Sequence, residues 1–475
     1  MVSISLRCSR LHPFRWVFAL LLASALLVGP AAAQKAPLSD RLEGVDAQIE
    51  QVMDDWSVPG LAIAVVTDST VVWSRGFGER DRAAGTPVTD QTLFAIGSTT
   101  KAFTAAGLGI LHDEGQLDWD TPVQEYLPRF KMHDEFATKG MTAVDLLTHR
   151  SGLPRHDLLW YATDASREDL FRRLRHLESS ASFRSTFQYQ NLMYMTAGYL
   201  AGQISGMTWE SFTRQRLLGP LGMSRTTFSV DSMQTTDDYA RPYGGDRDTI
   251  EAVDYRPLDA IGPAGSINAS VADMSEWVQL FLNDGRHGDT QLIDSTTVTQ
   301  LTRPRIVLED PRPFMPETGG SLLYALGWFK ETHDGERLLW HSGGIDGFSA
   351  MVGLMPGREV GWVILTNKGG TPAPSVLLYE LVDRVLGREG QDWNQRIRDF
   401  YAQQQAESDT AQADTTEAPQ DTTAAPGPSH PLEDYVATYS NPGYGTFEVT
   451  MEGDSLAGRY GRFKSTLRHE QYDVF

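Results

Sequence analysis

Apolar residues recur at three- and four-residue spacing through Leu42, Val45, Ile49, Val52, Met53 and Trp56, behind a Ser39-Asp40 cap and ahead of Pro59-Gly60. That spacing predicts an amphipathic helix. Two apolar runs follow, over 61–66 and 71–74, joined at Asp68-Ser69, and they read as a strand hairpin. Far along the chain, residues 337–341, 348–355 and 360–366 read as three more strands, with a turn at Pro356-Gly357 and a helix over 373–386 behind them. The stretch between, 98–300, is mostly helical and loop-like. The simplest assembly is an α/β (α+β) fold: one antiparallel sheet made from both chain ends, flanked by the terminal helices and interrupted by a helical insertion.

The two ends of the chain read differently. Arg7, Arg10 and Arg15, an apolar run over 17–28 and Ala31-Ala32-Ala33 together predict a secretory signal peptide over 1–33, hence a periplasmic or extracellular protein. The apolar run is short of the ~20 residues a membrane span needs, so no stable span is expected after cleavage. Cys8, the only cysteine, lies inside that leader, so the mature chain is expected to hold no disulfide, thiolate metal site or cysteine nucleophile. Residues 401–431 are rich in Ala, Thr, Gln, Asp and Pro and nearly free of large apolar side chains, which predicts a disordered acidic linker. It divides a body, 34–400, from a β-rich module, 432–475, with short strands at 435–439, 445–451, 455–460 and 465–475. The chain stops inside the last of these, so the module reads as incomplete. Hung from a linker that cannot pack, its 44 residues are expected to be dispensable for chemistry.

Composition narrows the function. Hydrophobic residues at 41% and charged residues at 22% describe a globular chain. A net charge of −21, about −24 once the leader is gone, disfavours nucleic acid and anionic membranes as partners, because both would repel it. The eleven histidines form no H-E-x-x-H or H-x-H-x-D-H pattern, so no metal is expected, and the absence of G-x-S-x-G argues against an α/β-hydrolase. His149 and His156 read as structural or surface residues, while Trp160 and Tyr161 fit a substrate lip or core packing equally well.

One spacing carries chemistry. Ser98-Thr99-Thr100-Lys101 opens a helical run, and residues three apart share a helix face, so Lys101 would set its amine beside the Ser98 hydroxyl. A serine hydroxyl needs a base to become a nucleophile, and a desolvated lysine can be that base. The helix N-terminus would favour a developing oxyanion. Of seven lysines only Lys101 has serine three residues earlier, yet serine is common and the pairing alone is a weak signal.

Two later elements strengthen it: Tyr189-Gln190-Asn191, a Y-x-N, and His341-Ser342-Gly343-Gly344, which ends a predicted strand. With these the chain resembles the serine β-lactamase-related family, which includes class C β-lactamases, D,D-peptidases, D-aminopeptidases and family VIII esterases. The resemblance covers about residues 40–390, takes in LLTHRSGL at 146–153, PAG at 263–265 and YALGW at 324–328, and has the three motifs in order at intervals of 91 and 152 residues. It implies a β-lactamase/D,D-peptidase-like antiparallel sheet for 34–400 and, for the tail, similarity to a lipocalin-like β module. It further implies Ser98 as the acylated nucleophile, Lys101 and Tyr189 as a coupled base pair, and Asn191 as a partner of Lys101 and of the substrate's acyl amide. The backbone N–H groups of Ser98 and Gly344 would make an oxyanion hole, with Ser342 and Gly343 binding substrate. No cofactor is implied, and the expected partner is a small-molecule or short-peptide substrate.

One position departs from the family pattern. His341 stands where K-T-G is usual, and the rival Lys368-Gly369-Gly370 reads as a loop. A histidine grips a substrate carboxylate less well than a lysine. The expected activity is therefore ester or amide hydrolysis through an acyl-enzyme, with His341 among the catalytic residues. A β-lactamase or D,D-carboxypeptidase is the alternative, and a non-catalytic penicillin-recognising protein a second.

Overall fold

The computed structural model describes residues 37–245, 249–309, 312, 321–388, 391–417 and 427–475. Two units partition the chain, Met1–Glu43 and Gly44–Phe475. In the first, the described residues hold one helical turn, Leu38–Arg41, and the expected signal peptide lies outside the described residues. In the second, helix α1 (Val45–Asp55) starts later than the Ser39-Asp40 cap suggested, because Gly44 sits in the left-handed region at φ +76°.

Strands β1 (Gly60–Thr67), β2 (Val71–Asp81) and β3 (Thr86–Pro87) come from the start of this unit. The mostly helical middle contributes α2 (Thr100–Asp113), α3 (Asn191–Ser205) and α4 (Val271–Leu282). The chain then returns to the sheet as β4 (Ile306–Val307), β5 (Leu323–Tyr324), β6 (Phe329–His333), β7 (Glu336–Ile345), β8 (Phe348–Met355) and β9 (Val360–Thr366), followed by α5 (Ala373–Leu386). These nine strands form one antiparallel sheet in the order β4-β5-β6-β7-β8-β9-β1-β2-β3, so both chain ends meet at the β9–β1 pair.

The central strands are apolar on both sides because helices cover both faces. Ala350, Val352 and Leu354 of β8 and Val363 and Leu365 of β9 join the main core with the helical middle. A Cβ at Gly361, on that face, would meet Val278 of α4 at 2.4 Å, whereas one at Gly353, on the opposite face, would meet Leu378 of α5 at 2.9 Å. Strand β7 runs past the predicted His341 to Ile345, which carries Gly343 and Gly344 against the Ser98 turn.

Two expectations for the C-terminal part are corrected. Of the segment read as a disordered linker, 401–417 continues helix α6 (Trp393–Glu417), while 418–426 lies outside the described residues. Trp393 anchors the helix, its indole N–H donating to Asp383 at 2.7 Å. Residues 401–408 are all exposed. Ala, Gln and Glu favour helix without burial in a core. The tail, expected to hang free, is instead docked. Its strands β10 (Ala437–Asn441), β11 (Gly445–Glu452), β12 (Ser455–Tyr460) and β13 (Phe463–Thr466) form an antiparallel meander that rests on residues 156–177 of the body. The last strand ends at Thr466, short of the expected 465–475.

One buried ion cluster fixes the loop that enters the site. Asp145 has no exposed side-chain surface and receives Arg150 Nε at 2.6 Å, Arg184 Nη2 at 2.6 Å and the Thr142 backbone N–H at 2.9 Å. Burial would raise its pKa, but these hydrogen bonds and charges outweigh burial and hold it below the usual carboxylate value. Asp145→Asn should therefore destabilise the protein by about 2–4 kcal/mol, discounted because both arginines keep a path to water. The sign of the pH effect follows from the lowered pKa. The stabilisation is present above the unfolded carboxylate pKa and is lost as pH falls through the lower folded one. Denaturant melts from neutral pH downward check both parts, and the variant should lose less stability on acidification than the wild type.

Candidate active site

Ser98 sits in a single 3₁₀ turn, Gly97–Thr99, just ahead of α2. The turn is pinned by the Ile96 N–H on the Ile267 carbonyl at 3.0 Å and by Thr99 Oγ1 on the Ile96 carbonyl at 2.9 Å. Against it lies β7. A Cβ at Gly343 would fall 1.9 Å from the Ile96 oxygen and 3.1 Å from the Ser98 nitrogen, and one at Gly97 would fall 2.7 Å from the Gly344 nitrogen. The two backbones therefore touch, which only glycine at 97 and 343 permits, and the Ser98 and Gly344 peptides become neighbours.

Lys101 is fully buried on the first turn of α2. Its Nζ lies 2.9 Å from Ser98 Oγ, 2.9 Å from Asn191 Oδ1 and 2.8 Å from the Ala264 carbonyl. Burial, with the charge of Arg155 second, lowers its pKa well below the usual lysine value, against a smaller opposing pull from Asp157. A neutral amine has two N–H groups and one lone pair. The two carbonyl oxygens take the N–H groups, and the lone pair is left facing the serine hydroxyl, which can donate to it.

Tyr189 lies in the extended segment before α3, and Asn191 is the first residue of that helix. The Gln190 side chain caps α3 through the Leu192 N–H at 2.8 Å, which fixes the residues on either side of it. The ammonium position of Lys101 is 4.8 Å from the Tyr189 ring centroid. Desolvation raises the phenol's pKa, and a hydrogen bond with Ser98 acts the other way. Tyr189 is thus a proton donor at neutral pH rather than a phenolate.

His341, expected among the catalytic residues, is engaged inside the protein. It is 1% exposed. Its Nε2 lies 3.0 Å from the Tyr324 hydroxyl and its Nδ1 2.6 Å from the Ser342 carbonyl, so both ring nitrogens are engaged within the protein. Burial, with Lys101 nearby, pushes its pKa down to about 3. A neutral imidazole bonded at both nitrogens leaves neither free for a substrate carboxylate. Strand alternation puts His341 and Gly343 on the face toward the Ser98 turn, with Ser342, which is exposed, on the other. The Lys368 amine donates to the Trp56 carbonyl at 3.0 Å.

The structure also brings in residues that had no assigned chemistry. His149, read as structural, stacks on Tyr189 with ring centroids 4.2 Å apart, and its Nδ1 accepts from the Gln190 N–H at 2.9 Å. Arg155, 57% exposed at its side chain, lies 5.0 Å from the centroid of the Tyr189 ring and pairs with Asp157 at 2.6 Å. Asp157 in turn accepts from Asn191 Nδ2 at 3.2 Å. Their nearest sequence signal was LLTHRSGL, which marked the loop but not what it faces. The Ala264 carbonyl, inside PAG, is positioned by Gly198 of α3, where a Cβ would overlap the Pro263 ring at 2.1 Å.

This sheet-and-helix fold, with a serine, a buried lysine and a tyrosine gathered where the helical middle meets the sheet, is that of the serine β-lactamase-related hydrolases. Residues 45–386 match the Beta-lactamase family, and the chain belongs to it. Residues 421–475 match a domain of unknown function, DUF3471. Among curated relatives, the chain is 31% identical over 461 residues to an unguisins hydrolase of Aspergillus violaceofuscus, covering 90% of this chain and 79% of the relative. It is 24% identical over 346 residues to protein flp of Staphylococcus aureus, covering 71% and 66%. Among solved structures, an octameric penicillin-binding protein homologue from Pyrococcus abyssi superposes with a TM-score of 0.64 at 24% identity, over 89% of each chain. The D-alanine carboxypeptidase AmpC of Burkholderia cenocepacia gives 0.58 at 22%, over 74% of this chain and 98% of that one.

The site's electrostatics set a pH dependence. If the neutral Lys101 amine is the working base, kcat/KM on an uncharged ester should rise with pH along one acid limb, well below the ordinary lysine range of ~10.4. His341 should add no limb near neutrality. Removing the Arg155 charge withdraws a cation that helps keep Lys101 neutral, so Arg155→Gln should move the limb to higher pH. A pH–rate series on the two proteins checks the direction, and a limb that stays put would remove Arg155 from the electrostatics of the base.

Proposed function

We propose that the protein is an exported serine hydrolase that cleaves small esters or amides, short peptides and D-amino-acid amides included, through an acyl-enzyme on Ser98. The observation that carries this reading is the Lys101 amine, buried, with its pKa depressed and 2.9 Å from Ser98 Oγ. The hydrolase-named relative supports the same class of chemistry.

In the acylation step Ser98 Oγ bonds to the carbonyl carbon as its proton passes to Lys101 Nζ. The carbonyl oxygen becomes an oxyanion, held by the backbone N–H groups of Ser98 and Gly344 in a site where fixed dipoles act strongly. As the bond to the leaving group breaks, that group takes the Tyr189 phenolic proton, and the phenol is restored from the Lys101 ammonium. Water then adds to the acyl carbon and gives its proton to the same pair. The ester bond to Oγ breaks, and Ser98 is reprotonated. Asn191, fixed by Lys101 and Asp157, is left to orient the acyl group.

Substrate charge is the next discriminator. With His341 buried and neutral, the usual cationic grip on a carboxylate is absent from this motif. Neutral esters and amides should outrun cephalosporins by about 10- to 150-fold in kcat/KM, the equivalent of one charge-assisted contact at roughly 1.5–3 kcal/mol. Tenfold preference for the cephalosporin would make the protein a β-lactamase instead. Ser98→Ala and Lys101→Ala should each lose about 10³-fold or more in turnover, and the double variant should be hardly worse, because nucleophile and base act as one unit. Multiplicative losses would contradict these roles. A fluorophosphonate probe should label the wild type and not Ser98→Ala.

A further inference from the structure

We propose that the tip of the C-terminal module, Gly461–Phe463, is a specificity-determining part of the hydrolase site that favours substrates with an extended peptide-like acyl group. This deepens the reading above and rests on it.

The tip is seated by a set of specific contacts. The Arg462 backbone N–H donates to the Ala162 carbonyl at 2.9 Å, and its guanidinium pairs with Asp164 at 3.1 Å. Gly461, at φ +55°, lies so close that a Cβ would fall 2.0 Å from the Ala162 oxygen. Phe463 stacks on Tyr161 with ring centroids 5.9 Å apart and planes 12° apart. On the other side of the same body segment, the Tyr444 hydroxyl hydrogen-bonds His156 Nδ1. The tail thus grips residues 156–164 at both ends.

What that segment touches gives the grip its meaning. The Tyr161 hydroxyl donates to Asp346 at 2.7 Å, Arg256 Nε pairs with Asp346 at 2.8 Å, and the Arg256 guanidinium lies 4.2 Å from the centroid of the Tyr161 ring. Phe463, Tyr161 and Arg256 therefore form one stack, anchored on a carboxylate two residues beyond Gly344. Its other end reaches the catalytic groups, since His156 follows Arg155 and precedes Asp157, the partner of Asn191. From Gly344 a cleft of about 560 Å³ opens along Asp346, with Arg256 in its wall and Gly347, Gly369 and Gly370 in its lining. Gly347 spends its carbonyl and Gly369 its N–H on the Tyr243 backbone, so what the glycines supply is an unobstructed channel, with room beyond Gly344 for an extended acyl group rather than only a compact one. Without the tail, the aromatic stack that fixes Arg256 and Asp346 loses its outer ring.

The test uses the full chain and p-nitrophenyl esters whose acyl group grows from acetyl to N-acetyl-tri-alanyl. The wild type should gain in kcat/KM with acyl length. Phe463→Ala and Gly461→Val should each lose about fivefold or more of that gain, mainly through KM, while acetyl-ester turnover stays within about twofold. Phe463→Tyr should restore the gain. No dependence on length in the wild type, or a gain that survives both variants, would overturn the inference. Equal losses on both esters with a lowered melting temperature would also overturn it, since the tail would then only stabilise the fold. A wild type that labels at Ser98 yet shows no length effect refutes this inference alone, whereas absence of Ser98 labelling refutes the hydrolase reading beneath it.

Discussion

A lysine with no solvent exposure organises this molecule. An ammonium in that position would be severely desolvated, and the surroundings answer by favouring the neutral amine rather than by supplying a carboxylate against it. Two carbonyl oxygens, from Asn191 and Ala264, take its N–H groups, and each comes from a different part of the helical middle. Holding Nζ at hydrogen-bonding distance from Ser98 therefore requires α2, α3 and the 262–265 turn to be packed at fixed separations. Gly198 against Pro263 and Gly327 against Ala102 are the places where side chains have been removed to allow it.

The second requirement is that the sheet reach the serine. Only the far C-terminal strands can do this, because β7 brings Gly343 and Gly344 against the Ser98 turn while β9 pairs with β1 from the start of the unit. Closing a sheet from both chain ends fixes the helical middle between them. The site lies at the seam, where neither part alone is complete. His341 belongs to this framework. Bonded to Tyr324 and to its neighbour's carbonyl, it ties β7 to the aromatic cluster of Tyr194, Tyr324 and His149 behind Tyr189.

The tail extends the same logic outward. A four-stranded meander with few buried side chains of its own gains order by seating on the body, through Tyr444, Arg462 and Phe463. Those contacts converge on the 156–164 segment, which also carries the residues nearest the mouth of the site.

Much of this was legible in the chain. Continuous apolar runs marked the strands β1, β8 and β9, because strands buried on both faces need apolar residues at every position. The three-residue spacing of Ser98 and Lys101 implied their contact, because a helical turn repeats near that interval. Other features depended on distances between parts far apart in sequence. His341 stood among the expected catalytic residues, and the chain gave no sign that Tyr324 and the Ser342 carbonyl occupy its two nitrogens. Arg155 and Asp157 carried no reading in the sequence, and only the fold sets them beside Tyr189 and Asn191. The tail looked detachable because the residues before it cannot form a core, yet seating depends on shape at Gly461 and Phe463 rather than on the linker's composition. Local periodicity determined which elements form and which serine has a lysine beside it. Only the tertiary structure decided which groups are desolvated and which are already bonded, because burial and hydrogen-bond partners are set by segments that meet across the fold.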